Sequence, residues 1–330
     1  MTKPIDPRSI DRDIYRGTIR RLLVPVRAMP AETLHSYLQR VTEDNHLRPR
    51  WLPDMSRRPG FLRKLAILTG RSIHQLVTTL PELRKRPHVL TWPHLIGEPS
   101  ALAGVRAACR YCVASRLEPS ANTVTVHATH ERLVCRKHQR WVGSSELQCL
   151  AAQQFSIASC PDVLLANRHH KRLIAQWGRG PTRAAFYDAV DCLTHWSRWP
   201  VVLRNPDIRR RWHALGVELE QTGTPAEVAT WYPNCVALTE LVLQQRHQIV
   251  SSPHLSPAFM GESRALLSTK VIAGLRPSGT HDVFRYALFS TRPEPDTECE
   301  TLDARTELDA YWWADATAPR HYRTPEGDSD

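Results

Sequence analysis

The sequence predicts a mainly α-helical protein interrupted by one small β-containing module, and three observations predict it. Apolar residues recur at helical spacing along most of the chain, as Leu34, Leu38 and Val41 do at i, i+4 and i+7. Capping residues, prolines and glycines punctuate those stripes at helix starts and stops. One stretch breaks the pattern: Cys109-Arg-Tyr-Cys112 is followed, after 22 residues that include the strand-type Val124, Val126 and Leu133-Val134, by Cys135-Arg-Lys-His138. Two such pairs supply the four ligands of a tetrahedral zinc ion, because each tight turn offers two and the chain between them closes a small hairpin. The expected fold is an N-terminal helix-turn-helix-like domain, a small zinc ribbon with a short β-hairpin, and a helical C-terminal domain.

In chain order, residues 1–29 read as an arm, 30–100 as the helical domain, 101–148 as the zinc-binding module and 149–290 as the helical C-terminal domain; 291–330 form an acidic tail expected to be disordered. Pro30 precedes a helix over Ala31–Asp44. After an Arg- and Pro-rich connection, Phe61–Thr69 carries Leu62, Leu65, Ala66 and Leu68 as a helix that Gly70 stops. Ser72, with Gln75 three residues on, is a capping box for a second short helix bearing Ile73, Leu76, Val77 and Leu80 and ending before Pro81. Two short helices joined through a glycine have the form of a helix-turn-helix. Read that way, His74, Gln75, Thr78 and Thr79 occupy the outer face of the second helix. Arg63, Lys64, Arg71, His74, Gln75, Arg84, Lys85 and Arg86 are then the candidate DNA contacts. A plain helical hairpin with a solvated polar face fits the same residues.

Beyond the zinc module, Leu164, Leu165, Leu173, Ile174 and Trp177 mark a helix with His169-His170-Lys171-Arg172 on its polar side. Phe186, Val190, Leu193 and Trp196 mark a second. Asn205-Pro206 starts a third, whose Ile208, Trp212, Leu215 and Leu219 oppose Arg209-Arg210-Arg211. Thr224-Pro-Ala-Glu227 opens a fourth, which Pro233 is expected to interrupt before Leu238, Leu241 and Val242 resume the stripe. The tryptophans on these faces read as core.

Cys109, Cys112, Cys135 and His138 constitute one structural Zn2+ site; four protein ligands leave no position for a water, so the metal serves folding rather than chemistry. Trp141, close behind His138, is expected to pack over it. His127 and His130 are lower-ranked substitutes for His138, because neither has knuckle spacing from Cys135. Cys149 and Cys160 with His169 or His170 form a second, irregularly spaced candidate site.

At 330 residues, 42% hydrophobic and 23% charged, the composition is that of a globular chain with room for two or three small domains. No run of 18 apolar residues and no signal-type N-terminus is present, and the eight cysteines suit a reducing compartment, so a cytoplasmic, membrane-free protein is expected. The net charge is +11, yet from Glu294 to Asp330 eleven carboxylates face only Arg305, Arg320 and Arg323. The body is therefore more basic than the total, which points to nucleic acid as partner. Sequence signatures of catalysis are missing: there is no Walker A loop, no dinucleotide-binding glycine pattern and no Gly-x-Ser-x-Gly elbow. A zinc deaminase needs His-x-Glu ahead of Pro-Cys-x-x-Cys, an order this chain reverses.

Three segments together resemble the TniQ family. Met29-Pro-Ala-Glu-Thr-Leu-His-Ser-Tyr-Leu-Gln-Arg40 is similar to that family's opening Pro-x-Glu-Ser-Leu-x-Ser-Trp-Leu-x-Arg segment. Leu65-Ala-Ile-Leu-Thr-Gly-Arg-Ser-Ile-His-Gln-Leu76 and the paired Cys109-x-x-Cys112 and Cys135-x-x-His138 follow in matching order, so the resemblance covers about residues 25–145. It implies a non-catalytic accessory factor of a mobile element that links target recognition to transposition, with Cys109, Cys112, Cys135 and His138 as its zinc ligands. Implied partners are DNA, an AAA+ ATPase and a transposase, or an RNA-guided targeting complex, and in certain members a second copy of the chain. A second knuckle of the Cys-Pro-x-Cys-Gly kind is absent after His138. Two other readings compete: a protein-only scaffold without DNA contact, and a metal-dependent nuclease in which His127 or His130 helps to activate water.

Overall fold

Helix dominates the described residues, among which the short antiparallel strands lie in the middle of the chain. The computed structural model describes residues 20–57, 60–84, 103–116, 124–144, 150–216, 224–252, 256, 258–277 and 282–289. Lys85, Arg86, Cys149, Leu219, most of the arm and the acidic tail lie outside the described residues. Among the described residues, no helix is long and apolar enough to cross a membrane.

The N-terminal helices are α1 (Leu34–Asp44), α2 (Trp51–Ser56), α3 (Phe61–Thr69) and α4 (Ile73–Thr79). Helix α1 starts at Leu34, three residues later than the Ala31 start expected after Pro30. Ala31 sits at a left-handed φ of 60°, and Thr33 becomes the cap, its hydroxyl accepting from Ser36 N. Glu32 is fully buried beside the cap. It accepts from Met29 N at 2.8 Å and Ser36 Oγ at 3.1 Å, and forms a two-pronged ion pair with the buried Arg40 at 2.9 and 2.8 Å. Such a pair is specific because the planar guanidinium fits the carboxylate with two parallel bonds. The polar residues Glu32, Ser36 and Arg40 of the opening segment are thus an internal lock.

Helix α3 keeps the boundaries read from the sequence, and α4 starts where read but ends one residue earlier, at Thr79, with Leu80 extended. Gly70 takes the left-handed conformation, φ 63°, that ends α3. Ser72 and Gln75 form the reciprocal capping box at 3.1 Å each way. Tyr37, Leu38, Leu52, Leu65, Leu68, Leu76, Val77 and Leu80 build the core of this region. Residues 20–29 run against it, with Leu22 N bonded to Leu68 O at 2.8 Å.

The middle holds two small sheets. Strands β1 (Ala103–Ala107) and β2 (Thr125–Thr129) pair antiparallel, and β1 has no counterpart in the sequence reading. Between them lies the one-turn helix α5 (Arg110–Ala114). Strands β3 (Val134–Cys135), β4 (Arg140–Trp141) and β5 (Phe155–Ser156) form a second sheet in that order, which extends beyond residue 148. Strand β2 also joins the N-terminal region: Thr33 N bonds Thr125 O, His127 N bonds Ala31 O, and Thr125 N donates to Ser36 Oγ.

The C-terminal region comprises α6 (Pro161–Trp177), α7 (Arg179–Trp196), α8 (Pro200–Leu203), α9 (Pro206–Leu215), α10 (Pro225–Ser251), α11 (Phe259–Lys270) and α12 (Val283–Phe289). The 27-residue α10 is its axis, with α6, α7, α9, α11 and α12 packed around it. Pro233 does not interrupt α10. A proline inside a helix removes the bond its N–H would give to the carbonyl four residues back, here that of Ala229; α10 nevertheless continues on both sides of it, and Arg211 from α9 packs beside this turn, donating to the Thr230 carbonyl at 2.5 Å and to Asn234 Oδ1 at 2.5 Å. Arg211 is accordingly buried, whereas the sequence places it on a solvated face. The same correction applies to α6: His170 is fully buried with Val163, Ala166, Asn167 and Leu173, and Leu165 faces solvent. The helical stripe is the one through His170, spaced 3–4 residues from Ala166, Asn167 and Leu173.

Candidate metal centre

Cys109 ends the extended segment after β1, and the turn of α5 lifts Cys112 to the same side one turn later. Cys135 closes β3, and a tight turn returns through His138 and Gln139, which takes a left-handed φ of 46° so that β4 can pair back on β3. The four ligand atoms all lie within 4.8 Å of one another. His138 Nδ1 is 3.6 Å from Cys109 Sγ, 3.3 Å from Cys112 Sγ and 3.6 Å from Cys135 Sγ, and Cys112 Sγ is 3.6 Å from Cys135 Sγ. A tetrahedral ion with sulfur at about 2.3 Å and nitrogen at about 2.0 Å sets its ligand atoms about 3.5–3.8 Å apart. The donor set and its edges therefore fit a metal ion, and among the described residues this is the one such group.

The thiols are coupled to one another. Cys135 is brought down to about 7, chiefly by its hydrogen bond with Cys109, while that bond and burial push Cys109 up to about 12. Burial raises Cys112. A divalent cation held by Cys109, Cys112, Cys135 and His138 would favour the thiolate form of all three cysteines.

Two side chains that the sequence reading missed hold the knuckles together. Gln154, just before β5, accepts from Arg110 N at 3.1 Å and donates to Ala108 O at 2.8 Å. Arg140 donates to the Gln154 carbonyl and lies 4.9 Å from the centre of the Tyr111 ring. Strand alternation could have pointed to Arg140: it pairs with Cys135 and shares the metal face, whereas Val134 and Trp141 pair on the opposite face. For that reason Trp141 does not cap the metal centre. It is fully buried in the C-terminal core, edge-on to Tyr232 at 5.4 Å.

The other histidines lie elsewhere. His127 Nε2 is 2.7 Å from Glu82 Oε1. His130 is buried against His170, ring centres 5.0 Å apart, at the junction of the β2–β3 turn with α6. Around them, Asn167 donates to Glu131 O at 2.8 Å and Tyr232 Oη at 3.2 Å, and His170 Nδ1 is 3.0 Å from that hydroxyl. Burial holds both histidines neutral, down to about 3, with Arg183 and Arg179 further opposing charge on His130. Cys160 stands at the N-terminus of α6 and His169 and His170 lie about 15 Å further along its axis, so the described members of the second candidate site do not converge.

The described candidate DNA contacts collect on the α3–α4 hairpin, but several are already engaged there. Gln75 belongs to the capping box, Thr78 and Thr79 bond back to the His74 and Gln75 carbonyls, and Arg84 donates to Val77 O and Thr78 O, both at 2.9 Å. Arg63 is exposed, and Lys64, Arg71 and His74 are partly buried. The metal module is more one-sided in charge. Its described residues, 103–116 and 124–144, hold Arg106, Arg110, Arg116, Arg132, Arg136, Lys137 and Arg140 against Glu131 alone, which is buried and ion-paired to Arg179.

Compared with known proteins, the chain matches no protein-family model, no curated protein and no solved structure.

Proposed function

We propose that this protein is a non-catalytic, zinc-stabilised DNA-binding or adaptor protein of the TniQ kind, which links recognition of a DNA target to transposition machinery. The observation that carries the reading is the four-ligand cluster of Cys109, Cys112, Cys135 and His138. Three thiolates and an imidazole are a donor set that zinc favours, and four protein ligands give a closed, structural site. The cationic excess of the module around it supports DNA as the partner, held mainly through phosphate contacts. An AAA+ ATPase, a transposase or an RNA-guided complex are the protein partners that follow from the TniQ resemblance.

Metal analysis together with DNA binding measured over a salt series, for wild type and Cys112→Ser, tests the reading. The expected result is one zinc per chain, lost in the variant, and affinity that falls steeply as salt rises. A metal-free wild type ends the zinc assignment. Zinc without DNA binding moves the protein to the scaffold reading, which the exposed Val250, Tyr286 and Phe289 of the C-terminal helices favour as contact residues for another protein.

A further inference from the structure

The outer surface of the two metal knuckles concentrates charge around one exposed ring. Tyr111, 45% exposed, lies against His138 at 5.7 Å between ring centres, and the guanidinium carbons of Arg110 and Arg140 sit 5.1 and 4.9 Å from its centre. Arg136 and Lys137 project from the second knuckle between Cys135 and His138, and both are exposed. Lys171, exposed on α6, continues the surface. Its ammonium is pushed below the usual lysine range by partial burial and then by the nearby Arg136 and Arg132, with Glu131 acting weakly the other way. Among the described residues, no carboxylate forms an ion pair with Arg110, Arg136, Lys137 or Lys171.

A patch whose cations repel one another is destabilising to the folded chain unless an anion is brought to it. The Tyr111 ring, with the Arg110 and Arg140 guanidinium groups over it, holds those two cations at the knuckle surface. The geometry points to this knuckle face, built from Arg110, Tyr111, Arg136, Lys137 and Lys171, as the surface that holds DNA, in place of the α3–α4 hairpin. The inference rests on the DNA-binding reading above and relocates its contact surface. Arg84, Gln75, Thr78 and Thr79 are consumed in capping and closing the hairpin, whereas Arg136, Lys137 and Lys171 are exposed and in no ion pair among the described residues.

The test is the salt dependence of binding to a fluorescently labelled, mixed-sequence DNA duplex by the full chain, with metal content measured on every variant. Arg136→Glu with Lys137→Glu is expected to weaken binding by tenfold or more and to reduce the log–log salt slope by about 2, near one unit per lost phosphate contact. Lys171→Glu, which lies off the knuckle and does not threaten the ligands, is expected to weaken binding and lower the slope by about 1. Arg209→Glu, an exposed charge on α9, serves as the control and is expected to bind as wild type. Should the double variant lose its metal, Lys171→Glu decides alone. Knuckle and Lys171 variants that bind as wild type, with the loss appearing in Arg63→Glu/Lys64→Glu, overturn the inference and leave the DNA-binding reading standing. A wild type with no salt-dependent binding overturns both.

Discussion

The metal knuckles and the C-terminal helical region solve the same folding problem by opposite means. The helical region buries a continuous apolar core from Leu133 to Leu288, with Trp141, Trp196, Phe186, Tyr232 and Phe284 almost wholly inaccessible. Beside the knuckles only Met29, Ala108, Val124 and Val126 gather as a separate buried cluster, with Cys112 and Val113 against its edge. At about 25 cal/mol per Å² of apolar surface removed from water, so small a group offsets little of the entropy of ordering two turns. The polar clamps of Gln154 and Arg140 contribute to the rest, and a metal ion held by the four ligands would supply more. The difference teaches that stability here is local in kind: apolar packing governs the bundle, and ligand geometry governs the site.

Removing the metal should break this comparison most visibly. Structural zinc sites contribute apparent free energies of about 10–16 kcal/mol in isolated fingers, so chelation or Cys135→Ser is expected to abolish amide protection in residues 109–114 and 134–141. Hydrogen exchange should show α7 and α10 retaining theirs. Equal loss in both regions would show that the bundle depends on the knuckles as well.

Trp141→Ala sharpens the contrast from the other side. Trp141 follows His138 by three residues, yet it packs on Tyr232, so truncation is expected to cost about 3–5 kcal/mol of global stability by urea unfolding. Metal content should stay at the wild-type value. Loss of metal with little loss of stability would return Trp141 to the site.

Acidification probes the junction between the two regions. His130 and His170 are held neutral in the folded chain, down to about 3, while in the unfolded chain they take up protons near 6.5. Above that pH neither state is charged and stability is unaffected. Below it only the unfolded chain gains protons, so stability falls by about 1.4 kcal/mol per pH unit for each histidine. Arg179, Arg183, Glu131, His169, Lys171 and the Tyr232 hydroxyl surround the pair, and the cations among them reinforce the neutral forms. The unfolding free energy of His170→Gln, measured from pH 6.5 to 5, should show a shallower pH slope than wild type. An unchanged slope would remove His170 as a source of acid sensitivity.

The smallest effect is expected in the N-terminal helices. Ser72→Ala removes one arm of the capping box and is expected to lower stability by about 1 kcal/mol, with metal content unaltered.

Much of the helical framework was legible because its signals are local. Gly70, Ser72 with Gln75, and Asn205-Pro206 fix helix ends through bonds to backbone groups no more than a few residues away. The ligand set was legible for a similar reason, since each knuckle spans four residues and its chemistry is written in cysteine and histidine. What escaped the sequence reading depends on distant partners. His170 belongs to the polar run His169-His170-Lys171-Arg172, and only the approach of His130, Phe186 and Tyr232 encloses it. Arg211 joins a basic run, and only the approach of Thr230 and Asn234 draws it inside while its neighbour Arg209 stays exposed.

The sequence by itself determined helices α3, α4, α6, α7, α9 and α10, the caps at Ser72, Asn205 and Thr224, and four residues able to close around a metal ion, because spacing along the chain sets which side chains share a turn. Tertiary structure decided which polar groups are interior. It turned His170 and Arg211 inward, sent Trp141 to the bundle and Arg140 to the knuckles, and tied the Thr33 cap to β2 through Thr125. Those outcomes follow from enclosure by residues tens of positions away: a buried polar group is stable only where folding brings it a partner, and no local pattern records that meeting.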